Sequence, residues 1–322
     1  MRVFVIGGTG FLGTFLIPKL IESKHEVTAL TRSNEKVSGL ESLGVNGIVG
    51  DLLQPESLPA KIPSQDAVIS IAMPEIRPGR ISWKRIRKLQ GQTKVFFSTS
   101  ITIAEKCRCP LIVTLGTSFT TRGEETADES WPIERFGIAR VGEHVDPLLS
   151  EVTSRGSTPL IQMLPGQIYG PGGLFKRVMY EWMKKGKYRV VGSGDNYIPR
   201  IHVADCAEAY VKVLEKMPAG ERFIIADDGP CTMREFADFM ADCMKVSRPK
   251  SIPKFVIRIA LGKLMYETVT MNCRVCNAKA KKHLEWKLKY PTYREGLPSA
   301  IQKLEEVSLL ARLTSSESSG DF

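Results

Sequence analysis

The sequence predicts an α/β chain built on a doubly wound parallel sheet, with a smaller C-terminal lid domain. Three observations predict it. The chain opens with MRVFVIGGTGFLG, a short apolar run that ends in Gly7-x-x-Gly10-x-x-Gly13 and passes into FLGTFLIPKLIES, apolar at helical spacing. Short β-rich runs then alternate with helical stretches as far as Met163. Beyond Tyr169 the alternation breaks up into Pro- and Gly-rich joints, around VVGSGDNYIPR and ADDGPCTMREF.

Taken in order, VFVIG is the first strand and FLGTFLIPKLIES the first helix. EVTALT, NGIVG, AVISIA and PLIVTLG are the next four strands, rich in the β-branched residues that suit a pleated sheet. The long segment ISWKRIRKLQGQTKVFFSTSITIAEKC has helical periodicity between the fourth and fifth strands. PLIQMLPG adds a sixth strand and ERFIIAD a seventh. A right-handed, doubly wound sheet follows, with its ligand crevice at the C-terminal ends of the strands. Residues 1–168 and 198–228 form the sheet domain, and 169–197 and 229–312 the lid. Residues 313–322, LTSSESSGDF, are polar and Ser-rich, which favours disorder.

A strand, a tight glycine turn and a helix N-terminus in that order make a phosphate cradle. Glycine lets backbone approach a pyrophosphate, while the helix end supplies free N–H groups and a positive dipole end. The motif therefore predicts a Rossmann-type dinucleotide site, with Gly7, Thr9, Gly10, Phe11, Leu12 and Gly13 as its first contacts. Cofactor choice turns on the end of the second strand, where a carboxylate would hold the ribose hydroxyls of NAD. EVTALTRSNEK has Thr31 there, followed by Arg32, with Lys36 one turn further on. Cations without a carboxylate suit a 2′-phosphate, so NADP(H) is preferred and NAD(H) remains possible.

Composition sets limits. At 322 residues, 43% of them hydrophobic, the chain can bury a large core. No apolar stretch reaches the roughly 18 residues of a membrane span, and a first strand starting at Met1 leaves no room for a signal peptide. Seven cysteines, an odd number, argue for a reducing compartment and a cytoplasmic location. Cys107-x-Cys109 and Cys273-x-x-Cys276 lack a second pair at metal-ligand spacing, and no metal site is expected. The net charge of +10 gathers in RPGRISWKRIRKLQ, FKRVMYEWMKKGKYR and NAKAKKHLEWKLK. Ile81, Ile86 and Leu89 interleave with the first of these as a buried stripe would, so solvated helix faces explain it. A field for a phosphate-rich cofactor, an acidic small-molecule substrate and a polyanion remain open, with no nucleic-acid partner expected.

The glycine spacing resembles the extended and atypical branches of the short-chain dehydrogenase/reductase superfamily, whose best-known members are NAD-dependent epimerases and dehydratases. VNGIVGDLLQPESL is similar to the family's third strand and the Asp that touches adenine, here Asp51. LIVTLGTSFTTRG resembles the strand that ends at the catalytic Ser or Thr, here Ser118. MLPGQIYGPGG matches the family's Pro-Gly-x-x-Tyr-Gly-Pro-Gly turn, RIHVADCAEAYVKVLEK its His-Val-x-Asp helix start, and NAKAKKHLEWKLKYPTYREGL its C-terminal end. Leu52, Ile71, Ala72 and Gly166 complete the candidate cofactor set.

In that family a Tyr exchanges the proton at the substrate oxygen, and a Lys four residues later lowers its pKa and holds the nicotinamide ribose. Here RFGIARVGEHV falls at that place, with Phe136 for the Tyr and Arg140 for the Lys. No shifted register rescues the motif, because the first tyrosine is Tyr169 and no lysine lies between Cys107 and Phe175. Phe136 has no proton to give, and Arg140 can bond ribose but not act as an acid near neutral pH. His144, four residues after Arg140 on one helical face, and Tyr169, near the nicotinamide end of the crevice, are candidate replacements; packing is the competing reading of Tyr169. Asp128, Glu129 and Glu134 lie on the loop entering the segment, while His202 and Asp205 are expected to cap and anchor the HVADCAEA helix. Ser118 is the first candidate to bond the reacting oxygen.

Sugar-nucleotide members carry a diphosphate-clamping Arg where this chain has Ile198; Arg200 lies two residues on. That shifts the expectation towards a smaller carbonyl or enone substrate. Two functions stay open: an oxidoreductase or epimerase-like enzyme acting on a small carbonyl, enone or sugar-like molecule with a non-standard proton donor, or a cofactor-binding protein without redox turnover. The resemblance also implies a homodimer through RFGIARVGEHVDPLL and the region 81–106, where Val141, Val145 and Leu148 recur at helical spacing.

Overall fold

The computed structural model describes residues 1–76 and 79–317. Its strands are β1 (Arg2–Ile6), β2 (Glu26–Thr31), β3 (Asn46–Val49), β4 (Ala67–Ser70), β5 (Leu111–Thr114), β6 (Leu160–Pro165), β7 (Gln167–Tyr169), β8 (Val190–Val191), β9 (Arg200–His202), β10 (Arg222–Ile225) and β11 (Ser251–Ile252). The helices are α1 (Gly13–Glu22), α2 (Glu35–Glu41), α3 (Leu58–Lys61), α4 (Trp83–Cys107), α5 (Val145–Arg155), α6 (Glu181–Lys184), α7 (Val203–Lys216), α8 (Met233–Cys243), α9 (Lys254–Val269), α10 (Ala278–Leu284) and α11 (Tyr293–Glu317). Residues Gly137–Gly142 form a 3₁₀ turn and Phe175–Tyr180 a π-helical turn.

All seven expected strands enter one parallel sheet, in the order β10-β6-β5-β4-β1-β2-β3. Burial on both faces explains why its strands read as continuous apolar runs. In β1 every residue from Val3 to Ile6 is buried, and the pleat sends neighbours to opposite sides. Val3 and Val5 join Leu16, Leu20, Ala207 and Tyr210 under α1 and α7, while Phe4 and Ile6 join Val68, Phe97, Ile101 and Leu149 under α4 and α5. The chain runs outward from β1 through β2 to β3 and then returns to β4 on β1's other side. The crevice of such a sheet opens at that reversal.

A separate core of Tyr169, Phe175, Phe236, Met240, Tyr293 and Leu297 holds the lid together. One short parallel pair ties it to the rest, β7 with β9, in which Tyr169 faces His202; a second, β8 with β11, lies within it. Helix α11 runs on to Glu317, so 313–317 are helical backbone rather than an unstructured tail; 318–322 lie outside the described residues.

The basic stretch at the start of α4 is a solvated face: Lys84, Arg87 and Lys88 are exposed, while Ile86 and Leu89 are buried beneath them. The stripe of Val141, Val145 and Leu148 packs within the chain, Val141 against α4 and α9 and the other two, on α5, in the core between that helix and the sheet. Among the described residues no helix is long and apolar enough to cross a membrane.

Candidate functional site

The glycine turn sits at the β1–β4 reversal, and close approach dictates two of its glycines. Gly7 has φ +95°, and a Cβ there would lie 2.8 Å from the amide nitrogen of Ala72, so Ile71 and Ala72 wall the turn. Gly13 opens α1 directly over the Gly8 carbonyl, leaving no room for a side chain. The turn is closed by Gly10 N–H donating to the Gly7 carbonyl (2.9 Å). Leu12, the N-cap, contributes no side-chain cap, and no acidic residue lies in the first turn. Among the described residues the N–H groups of Phe11 and Leu12 make no backbone hydrogen bond. An uncapped, uncharged helix start with free donors is fitted to an anion. Thr9 and Gly10 remain accessible at its rim. The ring of Phe11 turns away to pack on Gly172 and Gly173, tying the glycine turn to the start of the lid.

Strand β2 ends at buried Thr31, whose Oγ1 accepts from Ser33 N–H (3.3 Å). This turn leaves Arg32 and Lys36 exposed, and among the described residues the Arg32 guanidinium has no ion-pair or hydrogen-bond partner. Asp51 is half-buried and accepts from Leu53 N–H (3.0 Å), while Leu52 is buried against α4 and its carbonyl accepts from Thr99 (3.2 Å). Gly166 is buried where β6 passes under Pro199; a Cβ there would come within 2.7 Å of the Pro199 backbone, and its N–H donates to Ile225 (2.9 Å). A chain crossing therefore accounts for this glycine.

The segment expected to carry catalysis departs most from expectation. Ser118 is buried; its hydroxyl donates to the Glu134 carbonyl, and its own carbonyl accepts from Glu134 N–H (2.9 Å). That hydroxyl is already engaged. Phe136 is extended and precedes a 3₁₀ turn instead of an α-helix. The cause is α9, which lies across the segment: Glu267 accepts from Gly137 N–H and Thr268 from Ile138 N–H, both at 2.9 Å. Gly137 has φ +50°, and a Cβ there would meet the Leu264 carbonyl at 2.8 Å. Arg140 is drawn towards α4. It pairs with Glu143 (2.8 Å) and sits 5.5 Å from the Trp83 ring centroid, while Gln90 donates to both the Arg140 carbonyl (2.9 Å) and the Glu143 carboxylate (2.8 Å). The common face expected for Arg140 and His144 does not form, because α5 starts only at Val145 and leaves His144 exposed before it.

Tyr169 belongs to the lid core instead of the crevice. It is buried edge-on to His202 and Phe236 and tilted against Phe175, and its hydroxyl has no hydrogen-bond partner among the described residues. Desolvation, then Asp227, push its pKa far up, so it holds its proton. His202 accepts Ala204 N–H (3.2 Å) as the N-cap of α7, and Asp205 accepts from Lys289 and Tyr290 N–H at 2.7 and 2.9 Å. Asp128 closes a turn with Ser130, Glu129 bonds Ile224 N–H on edge strand β10, and the Glu134 carboxylate accepts from Thr120. Ile198 is buried, and Arg200, 1% exposed, stacks 3.6 Å from the Phe236 ring centroid and donates to Gln167. Arg200 thus points into the lid core and does not clamp a phosphate from the crevice. A groove of about 600 Å³ between Trp131, Leu149, Thr153 and Arg222 lies at the far sheet edge and contains none of the candidate residues.

Gln90, Trp83, Glu267 and Thr268 shape the segment without any motif to announce them, since they act from distant helices. A consequence follows for repair of the missing pair. Phe136→Tyr with Arg140→Lys is expected to leave NADPH binding intact without raising the rate of carbonyl reduction. The 3₁₀ turn stays clamped by α9, and proton transfer needs about 2.6–3.2 Å to the substrate oxygen. NADPH absorbance with a panel of carbonyls measures this; a rate increase above about ten-fold would show the segment to be an ordinary active site.

Comparisons with known proteins agree with the fold. The chain is 24% identical over 285 residues to the 4-hydroxy-2-methyl-3-oxo-4-farnesyl-3,4-dihydroquinoline-1-oxide ketoreductase of Stigmatella aurantiaca, covering 85% of this chain and 83% of that protein. It is 26% identical over 281 residues to the 2-alkyl-3-oxoalkanoate reductase of Stenotrophomonas maltophilia, covering 81% of each. The fold is similar to human epimerase family protein SDR39U1, solved with NADPH (TM-score 0.74, 20% identity, 94% of this chain and 99% of that one). It is also similar to the UDP-glucuronic acid 4-epimerase of Bacillus cereus, solved with UDP-glucuronic acid and NAD (TM-score 0.77, 16% identity, 95% and 100%). The model of the NAD dependent epimerase/dehydratase family matches residues 3–226, from the first residues of β1 through β10, and the chain belongs to that NAD(P)-dependent family.

Proposed function

We propose that the chain is an NADP(H)-dependent reductase of a small carbonyl or enone. The observation that carries the cofactor assignment is Arg32, exposed beside the end of β2 with no partner among the described residues and no carboxylate at Thr31. Bound cofactor supplies hydride. The chain's own residues hold the pyrophosphate at the uncapped start of α1, and pair the 2′-phosphate with Arg32, assisted by Lys36. Two relatives with the chain's overall span bear the names ketoreductase and oxoalkanoate reductase, which supports carbonyl reduction. With Phe136 inert and the Ser118 hydroxyl engaged by Glu134, solvent water is the proton source at the substrate oxygen. The seven free thiols suit a reducing, cytoplasmic setting.

Arg32→Ala is expected to weaken NADPH binding by about 10- to 100-fold, the loss of one charge-assisted contact, and to leave NADH binding unchanged. Fluorescence titration with both nucleotides measures it. Tighter binding of NADH by the unaltered chain, or no effect of the substitution on NADPH, would overturn the assignment. The engaged Ser118 also favours a second reading, cofactor binding without redox turnover. Tight NADPH binding with no NADPH oxidation by any ketone or enone would select it.

A further inference from the structure

The lid carries a surface that the crevice does not use. From Cys243 to Tyr266 the sequence has six cations, Lys245, Arg248, Lys250, Lys254, Arg258 and Lys263, and no Asp or Glu. A second basic run, Lys184, Lys185, Lys187 and Arg189, precedes β8. Pairing of Val190 with Ser251 and Val191 with Ile252 sets the two runs side by side, and all ten side chains are exposed. Acidic neighbours answer few of them: Asp242 pairs with Arg248, Glu267 reaches Lys263 at 3.7 Å, and Asp195 feels Lys254. The placement also opposes local helix energetics. Lys254 opens α9, and no acidic residue lies in its first turn, although the helix dipole favours the opposite charge there.

Large apolar side chains stand among these charges. Phe255 is 64% exposed and Ile259 72%, one helical turn apart on the same face, and Trp182, at the head of the other basic run, is 46% exposed. Gly262, with φ 83°, breaks α9 behind them. The half after the break is anchored by buried Leu264 and by the bonds to Gly137 and Ile138. The half before it projects its phenyl and sec-butyl groups outward. Aromatic and aliphatic side chains ringed by lysine and arginine are the composition of a helix lying in the headgroup layer of an acidic membrane.

We propose that this face, residues 182–189 and 245–263, docks the protein on an anionic lipid bilayer, with Phe255 and Ile259 inserted below the phosphates. A polynucleotide would engage the cations but give no reason for bare Phe255 and Ile259. A second copy would set one cationic face against another and be repelled.

The test is flotation of the full chain with phosphatidylcholine vesicles, alone or with roughly a third phosphatidylserine. Partitioning at least about ten-fold higher on the acidic vesicles is expected, falling between about 0.05 and 0.5 M salt. Phe255→Ser with Ile259→Ser should lower it by about ten-fold or more, with the circular dichroism melt unchanged. Arg258→Glu, at an exposed position where the guanidinium lies 5.8 Å from the Tyr266 ring centroid, gives an independent second variant with the same expected direction. Equal binding to neutral and acidic vesicles, or binding untouched by the apolar pair, would overturn the proposal. So would self-association without lipid that disappears in that pair. Preference for polyuridylate, lost with Arg258→Glu and kept in the apolar pair, would identify a polyanion site instead.

Discussion

Alanine at position 13 is expected to destabilise the fold by about 3 kcal/mol or more and to weaken NADPH binding at least about 100-fold. On an exposed helix the same change would be stabilising by up to ~1 kcal/mol, because alanine favours helix over glycine. Position 13 reverses the sign because the first residue of α1 rests on the β1 turn. A Cβ there would stand 2.5 Å from the Gly8 carbonyl carbon and 2.6 Å from its Cα. The obstacle is backbone, so no rotamer change relieves it, and α1 must lift off the sheet. Leu16, Ile17 and Leu20, all buried beneath that helix, would be loosened together with the Lys19–Glu208 ion pair (2.6 Å) to α7. The same shift misplaces the N–H groups of Phe11 and Leu12 that are proposed to hold the pyrophosphate. Urea denaturation and NADPH titration measure the two effects. An alanine variant more stable than the parent would show that α1 is free to move and that Gly13 is not set by packing.

Gly13 also shows why the cofactor half of the molecule was legible in the sequence. Its partner, Gly8, is five residues away, and the strand–turn–helix pattern specifies both the contact and its purpose. The inner sheet strands were legible for a related reason, since a strand buried on both faces must be apolar throughout. The catalytic segment is different. RFGIARVG carries helical periodicity, yet it becomes a 3₁₀ turn because Glu267 and Thr268, on a distant helix, take its N–H groups. Tyr169 sits in a motif whose local sequence does not say which way the ring points. The β7–β9 pairing and Phe236 turn it into the lid core, and the same ring claims Arg200. Arg140 likewise follows Glu143 and Trp83 rather than the crevice. Long-range contacts decided each of these, and no periodicity encodes them.

Asp227→Asn is expected to stabilise the protein by about 2–4 kcal/mol at pH 7, and to change the shape of its pH–stability curve. Asp227 follows β10 into the interior, where it is 8% exposed and its Oδ2 has no partner among the described residues. Burial pushes its pKa up to about 8; nearby Arg200 opposes the rise, and Asp228, Asp205 and Glu295 add to it. Arg200 cannot neutralise it fully, being bonded to Gln167 and stacked on Phe236. A carboxyl whose pKa is raised on folding contributes stability below its unfolded value, near 4, and loses it as pH climbs to about 8. At about 1.4 kcal/mol per unit, roughly 4 kcal/mol has gone by pH 7. His202 has the opposite sign. Burial lowers its pKa to about 4, so its contribution is complete above about 6.5 and is lost as pH falls towards 4. In the parent these two slopes cancel between about pH 4 and 6.5, and Asp227 alone drives a decline from there to about pH 8. With asparagine at 227 the first interval should instead rise with pH, under His202 with His25 acting in the same direction, and the second should be level. Unfolding free energies from urea titrations near pH 5, 6.5 and 8 distinguish the two curves. A destabilised Asp227→Asn at pH 7 would mean that the carboxylate is charged and paired in the folded protein, with Arg200 as its partner.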